Sequence, residues 1–590
     1  MKTTLERLKP FLYEAVQHLS SVSLVKLDIR PTRKEFSGHI TLVLFPLLKI
    51  FKKPLEHIGR EIGSYVKEHA PMVRSFHLVK GFLNFECTDD YYFRLLQDLC
   101  EDDFFFQKSS LKGTLMIEYS SPNTNKPLHL GHIRNHLLGH SIAELFKSMG
   151  RKVIKTQIIN DRGIHICKSM LAWKKFSGGE TPESSNLKGD HLVGKYYVAF
   201  EKAYRKEIAD LCAQGYKRVR AEEKAPMMQE VHKLLRLWER GDAETIALWR
   251  RMNSWVYQGF EQTYQRLGID FDDTQYESNT YLLGKRIIEE GLKKKVFFHK
   301  EDGSVWVDLT AEGFDEKLLL RKDGTSVYIT QDLGTAVERF EKYPIEALIY
   351  TVGEEQEYHF QVLFLILKRM GYPWADRLFH LSYGMVELPS GKMKSREGTV
   401  VDADDLMIQM HQVAKSFTQD LGKLKDSAPE EKESLYETIG LGALKYHILK
   451  VDPKKRILFD PKASVDFKGN TGPYIQYTYA RIRSLESKAC GNAYENLSVC
   501  LLGEYEKSLL KILEQYPDSI NFSAKNLNPS LVVNYVYELA KSFNDFYQNV
   551  NILKAHDPSK AAFCLKLALT CGKVLKIAMK FLGINMPDNM

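Results

Sequence analysis

The sequence predicts an α/β protein. A parallel-sheet central domain follows a small α+β unit and precedes an all-α unit. Three observations carry this. Residues 115–119, a helical pattern over about 130–149 and residues 153–159 make strand, helix and strand at βαβ spacing, which requires a parallel sheet. Strand-length apolar runs alternate with helical periodicity again after residue 300. From about Asp460 onward the apolar residues follow helical spacing almost throughout. The 590 residues make roughly three to five domains at about 100–200 residues each.

Residues 1–112 form the first unit. Leu5, Leu8, Phe11, Leu12, Ala15 and Leu19 lie on one helical face. Residues 41–48 are an apolar run of strand length, 54–68 an amphipathic helix with Pro near its first turn, and 81–87 an alternating strand. The polar stretch after Glu101 reads as a linker. Residues 113–460 form the central domain, whose first strand runs into the loop Ser120-Ser-Pro-Asn-Thr-Asn-Lys-Pro127. Residues 176–265 are helical and charged, with Trp238, Trp249 and Trp255 at packing positions, and read as a helical insertion between sheet halves. Strands are expected again at 305–309, 327–330, 347–352 and 378–383. Residues 461–590 form the helical third domain.

Composition sets the broad class. With 44% hydrophobic, 27% charged and 20 Pro, the chain is not a disordered or low-complexity polymer. Lys and Arg number 83 against 75 Asp and Glu, so the net charge is 83 − 75 = +8, which permits a polyanionic partner without requiring one. None of the 8 Cys are at CxxC spacing, so no protein-held metal site is expected and the thiols suit a reducing cytosol. The start of the chain lacks a signal-peptide core, and no apolar run reaches about 18 residues. A cytoplasmic protein with no membrane partner is expected.

Two motifs carry chemistry. There is no GxxxxGK[ST] and no GxGxxG, so a nucleotide would not be held by a P-loop or dinucleotide fingerprint. His129-Leu-Gly-His132 instead opens a helix directly after a strand and loop. A helix N-terminus aims free N–H groups and partial positive charge at an anion, and Gly131 lets a base or phosphate approach the backbone. The second motif is Gly391-Lys-Met-Lys-Ser-Arg-Glu-Gly398, where Lys392, Lys394 and Arg396 can neutralise a departing pyrophosphate. Alone, the first could be an ordinary helix start and the second a solvated basic loop.

Together the two motifs resemble the signatures of class I aminoacyl-tRNA synthetases. Ser121-Pro-Asn-Thr-Asn-Lys-Pro-Leu, Tyr328-Ile-Thr-Gln-Asp332, the segment from Gly469 to Arg481 and the final Gly583-Ile-Asn-Met-Pro-Asp-Asn-Met590 are similar to the arginyl-tRNA synthetase family. Residues 54–59 and 81–85 look like that family's added N-terminal tRNA-binding domain. The resemblance implies a Rossmann-like catalytic domain and a helical anticodon-binding domain. It implies ATP-dependent activation of L-arginine to an arginyl-adenylate, then transfer to the 3′ end of tRNA(Arg), with activation needing bound tRNA. Mg²⁺ is expected on the ATP phosphates rather than in a protein cage.

The resemblance also implies site residues. His129, Gly131 and His132 bind ATP, with the histidines and Lys392 stabilising the transition state. The family's second motif is ideally K-M-S-K-S, whereas this chain has Lys392-Met-Lys394-Ser-Arg396. Lys394, Arg396 or Lys126, just before the first motif, stands in for the missing lysine. A guanidinium calls for carboxylates and a flat aromatic surface. Tyr328 and Asp332, four apart, share a helical face and become arginine ligands, with Glu277 a second candidate carboxylate. Asn123, Gln356 and Glu118 resemble residues that hold the amino acid's other end. For tRNA, Tyr547 matches a base-stacking position and Met590 a chain end near the anticodon loop. Lys566, Lys573, Lys576 and Lys580 make a basic stripe opposite Phe563, Leu567, Val574, Ile577 and Phe581. Burial in the helix bundle and a solvated helix face are the competing readings. The self-sufficient domains point to a monomer. Rival functions are a class I synthetase for another amino acid and a non-catalytic RNA-binding relative.

Overall fold

The computed structural model describes residues 3–20, 26–33, 35–101, 113–387, 401–420, 428–489 and 498–590. Lys392, Lys394 and Arg396 lie outside these residues.

The first unit is an antiparallel sheet of β1 (Ile29–Pro31), β2 (Ile40–Val43), β3 (Val73–Val79) and β4 (Phe82–Cys87), in spatial order β1-β2-β4-β3. Helices Thr4–Ser20 and Leu55–His69 cover one face, burying Leu8, Leu12, Ile58 and Ile62 against Leu42, Leu83 and Phe85. The strand expected over 41–48 stops at Val43. Pro46 has no N–H for a ladder, and Phe45–Leu47 coils into a 3₁₀ turn before the short helix Leu48–Phe51. The next helix, Asp89–Cys100, is capped by the Thr88 hydroxyl and turns Tyr91, Leu95 and Leu99 into the large core that the C-terminal helices share.

The central sheet is parallel. It contains β5 (Thr114–Glu118), β6 (Lys152–Ile159), β7 (Asp273–Tyr276), β11 (Ile345–Gly353) and β12 (Leu378–Tyr383), in the order β12-β11-β5-β6-β7. The chain builds outward from β5 in both directions, which leaves a crevice at the carboxyl ends of β5 and β11 where doubly wound sheets bind ligands. The three strands β8 (Phe298–His299), β9 (Val305–Val307) and β10 (Lys317–Leu320) form a separate antiparallel sheet. The strand expected at 327–330 is instead the start of helix Tyr328–Lys342. Its β-branched residues suit either state, but Ile329, Leu333, Ala336 and Val337 are buried at helical spacing.

Between β6 and β7 come helices Ile164–Phe176, Gly189–Ala213, Arg218–Lys224, Pro226–Glu239 and Ala243–Leu267. They enclose a small core of Ala172, Leu192, Phe200, Met227 and Val231. Trp238 and Trp249 meet edge to face at 5.5 Å, as do Trp173 and Trp255 at 5.8 Å. The C-terminal helices, Gly472–Lys488 through Pro558–Phe581, pack into one core with helices Leu130–Ser148 and Pro429–Leu449. On Pro558–Phe581, Lys566, Lys573, Lys576 and Lys580 are exposed while Phe563, Leu567, Val574 and Phe581 are buried. No helix among the described residues is long and apolar enough to cross a membrane.

Candidate active site

β5 delivers the chain into the crevice, where Ser120 takes a left-handed φ of +67°. That conformation is costly for a residue with a side chain, and it is held on both sides. The Ser120 N–H donates to Asn135 Oδ1 at 2.7 Å, and its hydroxyl accepts from His136 Nε2 at 2.8 Å. The hydroxyl donates in turn to the Tyr264 oxygen, 2.8 Å away, and the Tyr264 OH donates to Gln157 Oε1 at 3.0 Å. The loop that follows returns the chain to His129, the N-cap of helix Leu130–Ser148.

The two signature histidines are ordered by backbone hydrogen bonds. His129 Nδ1 accepts from the Gly131 N–H and His132 Nδ1 from the His129 N–H, both at 3.1 Å. The proton of each neutral ring therefore sits on Nε2. The rings lie 3.9 Å apart. Burial, with Lys126 nearby, pushes His129 down to about 3. Burial first, then the neighbouring His129, His136 and Lys126, holds His132 well below the ordinary imidazole value. The pair thus offers two N–H donors at a helix N-terminus without the cost of two buried cations.

These groups line a cleft of about 350 Å³ with Ser121, Gly131, Asn135, Thr351, Gly353, Tyr383, Gly384 and Met385. A second cleft of about 210 Å³ also reaches His129 and is lined by Lys126, His191, Lys195, Tyr197 and Asp402. The structure therefore brings Lys126 beside the histidines. Lys392 and Lys394 fall outside the described residues, but both flanks of their segment are anchored. Val386–Glu387 pairs with Ile457–Leu458, Leu130 donates to the Val401 carbonyl at 3.1 Å, and Ala403 donates to Leu128 at 3.0 Å.

A second constellation lies at the ends of β7 and β11. Asp332 sits one turn into helix Tyr328–Lys342, and its carboxylate is 2.6 Å from His359 Nε2. Tyr328, one turn before it, is 78% exposed. Glu277 follows β7. Burial pushes its carboxyl up to about 7; Arg162 opposes the shift, and Asp161 and Asp332 add to it. The Asp332 carboxylate is thus near enough to weigh on the ionisation of Glu277. Asp161 fixes this corner, accepting from Ser278 N and Oγ at 2.8 Å and from Tyr257 OH at 3.0 Å. Asn123 is exposed in the loop after β5, joined by a backbone bridge to Asn160, and Gln356 is exposed at the end of β11.

Glu118 is placed differently from these. It is buried at the end of β5 and ion-paired with the fully buried Arg339, whose Nε donates to Gln275 at 2.9 Å. Its carboxylate is engaged within the protein rather than presented openly. Sequence reasoning also missed His359, Arg339 and Asp161. His359 lies only three residues beyond Gln356, but nothing in the order of residues points it at Asp332.

In the third domain Tyr547 is 37% exposed, with the Arg481 guanidinium 4.7 Å from its ring centre. Met590 is partly buried against the shared core. Lys576 lies 5.6 Å from the Tyr479 ring, on the same helix as Arg481. Among the described residues one group could approach a metal ion, Asp190, His191 and Asp404. The Lys188 ammonium already stands there, ion-paired with Asp404 and 3.2 Å from Asp190, so the cation is supplied by the chain.

Known proteins match this architecture. A family model described as tRNA synthetases class I (R), catalytic domain, matches residues 95–460, and one described as DALR anticodon binding domain matches residues 475–590. The chain is 53% identical over 598 aligned positions to an arginine–tRNA ligase of Flavobacterium psychrophilum, covering 99% of each. It is 51% identical over 570 positions to one from Bacteroides thetaiotaomicron, covering 96% of each. The solved Thermus thermophilus arginyl-tRNA synthetase has the same fold, with a TM-score of 0.79 at 23% identity over 99% of both chains. The chain belongs to the arginine branch of the class I tRNA synthetases.

Proposed function

We propose that this protein is an arginine–tRNA ligase that forms arginyl-adenylate from L-arginine and ATP and passes the arginyl group to the 3′ end of tRNA(Arg). The observation that carries this reading is the pair of neutral histidines presenting Nε2–H groups at a helix N-terminus, in the crevice beside β11.

The first step is positioning and charge compensation. The arginine carboxylate attacks the α-phosphorus in line, an oxygen–phosphorus bond forms, and pyrophosphate leaves with its bonding pair. His129 and His132 donate to the phosphates, and the helix dipole favours the same charge. Lys126 takes charge from the leaving pyrophosphate together with Lys392 and Lys394. ATP enters as its Mg²⁺ complex. In the second step a hydroxyl of the terminal ribose attacks the adenylate carbonyl and AMP leaves.

Asp332 and Glu277 receive the guanidinium, Tyr328 covers it, and His359 orients Asp332. Asn123 and Gln356 hold the α-amino and carboxylate end. Glu118, held by Arg339, forms the wall beneath. A shorter or uncharged side chain would leave these carboxylates unpaired, which favours discrimination in one site. The exposed lysines of helix Pro558–Phe581 face the tRNA backbone, Tyr547 stacks on an unpaired base, and Met590 packs near the anticodon loop. The enzyme works as a monomer in cytoplasmic translation, which sedimentation of the free protein would test.

The deciding experiment is pyrophosphate exchange into ATP with each of the twenty amino acids, with and without tRNA. Exchange with arginine alone, and only when tRNA is bound, is expected. Exchange with another amino acid refutes the specificity, and none at all favours a binding protein.

A further inference from the structure

We infer that Arg134 is a positioning residue for ATP, which hangs the Gly384–Met385 wall of the nucleotide cleft on the same helix that carries His132. The inference rests on reading that cleft as the ATP site.

Arg134 is fully buried, and its guanidinium serves backbone carbonyls. Nη1 donates to Gly384 at 2.5 Å and to Met385 at 3.3 Å. Nη2 donates to Asp452 at 3.3 Å, Pro453 at 2.9 Å and Lys455 at 2.8 Å. These five oxygens belong to two segments that meet under the cleft, one following β12 and one following helix Pro429–Leu449. An interior cation is expensive, and an apolar side chain would fill the space at lower cost. What only the two planar NH2 arms of a guanidinium supply is the simultaneous capture of two segments at a set spacing, while Nε makes no hydrogen bond.

The seam between those segments has little slack. The Gly384 N–H donates to Pro453 at 2.9 Å, and the Ile457 N–H donates to Met385 at 3.0 Å. A Cβ on Gly384 would stand 2.9 Å from the Lys455 carbonyl, so no side chain fits between them. Gly384 and Met385 in turn line the same cleft as His129 and His132. The nucleotide is gripped between two walls whose separation Arg134 sets. The arginine pocket at Asp332 and Glu277 hangs on other elements, at the ends of β7 and β11. Loss of the clamp therefore acts on ATP and spares arginine, a split that general loosening of the fold would not produce.

The test is pyrophosphate exchange by the full chain with tRNA present. An ammonium cannot span both segments, so Arg134→Lys is expected to raise KM for ATP tenfold or more and to change KM for arginine less than twofold. The substituted ammonium would face Glu354, Asp452 and the Tyr383 ring, the charged and titratable neighbours of Arg134. A KM for ATP within twofold of wild type, or equal rises for both substrates, overturns the inference. If Arg134→Lys does not fold, Gly384→Ala wedges the same seam without removing a charge. The same ATP-selective rise is expected there, and equal rises overturn the inference. His132→Ala separates the two readings. If its KM for ATP is unchanged, the cleft is not the ATP site and both fall. If His132→Ala is impaired and Arg134→Lys is not, only the role of Arg134 falls.

Discussion

If Glu277 receives the guanidinium as proposed, arginine binding becomes a function of pH. Its carboxyl is pushed up to about 7, chiefly by burial, against an ordinary value of 4.5. At 1.36 kcal/mol for each tenfold change, ionising it in the empty pocket costs about 3 kcal/mol more than in water. The sign follows from the chemistry. Arginine is a cation throughout this range and needs the ionised carboxylate, so proton and substrate compete. With a pKa near 7, about one molecule in eleven is ionised at pH 6 and about ten in eleven at pH 8. KM for arginine should therefore fall about tenfold from pH 6 to pH 8. The assay is pyrophosphate exchange with tRNA and ATP both saturating, so that phosphate titration does not enter. Glu277→Gln should bind arginine as weakly as the wild type does at low pH and lose the slope. A wild-type KM constant within twofold across this range, or a slope that survives in Glu277→Gln, refutes the reasoning. The linkage also acts on the free protein. A raised carboxyl pKa means the folded state holds the proton longer, so stability falls as pH rises between 4.5 and about 7 and is recovered when arginine binds.

Other substitutions probe separate links. A Cβ at Gly139 would lie 2.3 Å from the Tyr119 ring, so Gly139→Ala should cost about 1–3 kcal/mol in urea unfolding; a change under about 0.5 kcal/mol would mean the helix and β5 can part freely. Lys126→Ala should cut amino-acid activation by orders of magnitude in the exchange assay, and a loss under threefold removes Lys126 from the phosphate site. Tyr547→Ala should weaken tRNA binding by about 1–3 kcal/mol in a filter-binding titration, with no effect if the ring serves only to pack on Arg481. Replacing Lys566 and Lys580 by Gln should lower the salt dependence of tRNA binding by about 0.7–0.9 per lysine, and an unchanged slope would leave the stripe a solvated face.

Much of the fold was legible because its periodicities are local. The βαβ start, the Trp-bearing insertion and the helical end each announce themselves within about twenty residues. The errors were local as well. Residues 327–330 have strand composition, and only the burial of Leu333, Ala336 and Val337 beyond them commits the stretch to a helix. In 41–48 the apolar run has strand composition, but Pro46 cannot donate to a ladder and the chain coils at Phe45. The site divides in the same way. His129 and His132 could be read from spacing, since their hydrogen bonds run two and three residues along the chain. The partners of Asp332, Glu118 and Arg134 could not, because they lie 27, 221 and at least 250 residues away.

The sequence by itself determined most element types and the family, and it nominated the groups proposed here to meet ATP and arginine. These follow from side-chain chemistry and from short-range patterns that survive without a partner. Only the tertiary structure decided what state those groups are in. Burial at the crevice makes the histidines neutral donors, raises Glu277 toward neutrality and sets Arg339 against Glu118. Ionisation and orientation depend on what surrounds a group in three dimensions, and packing brings that environment together from distant parts of the chain.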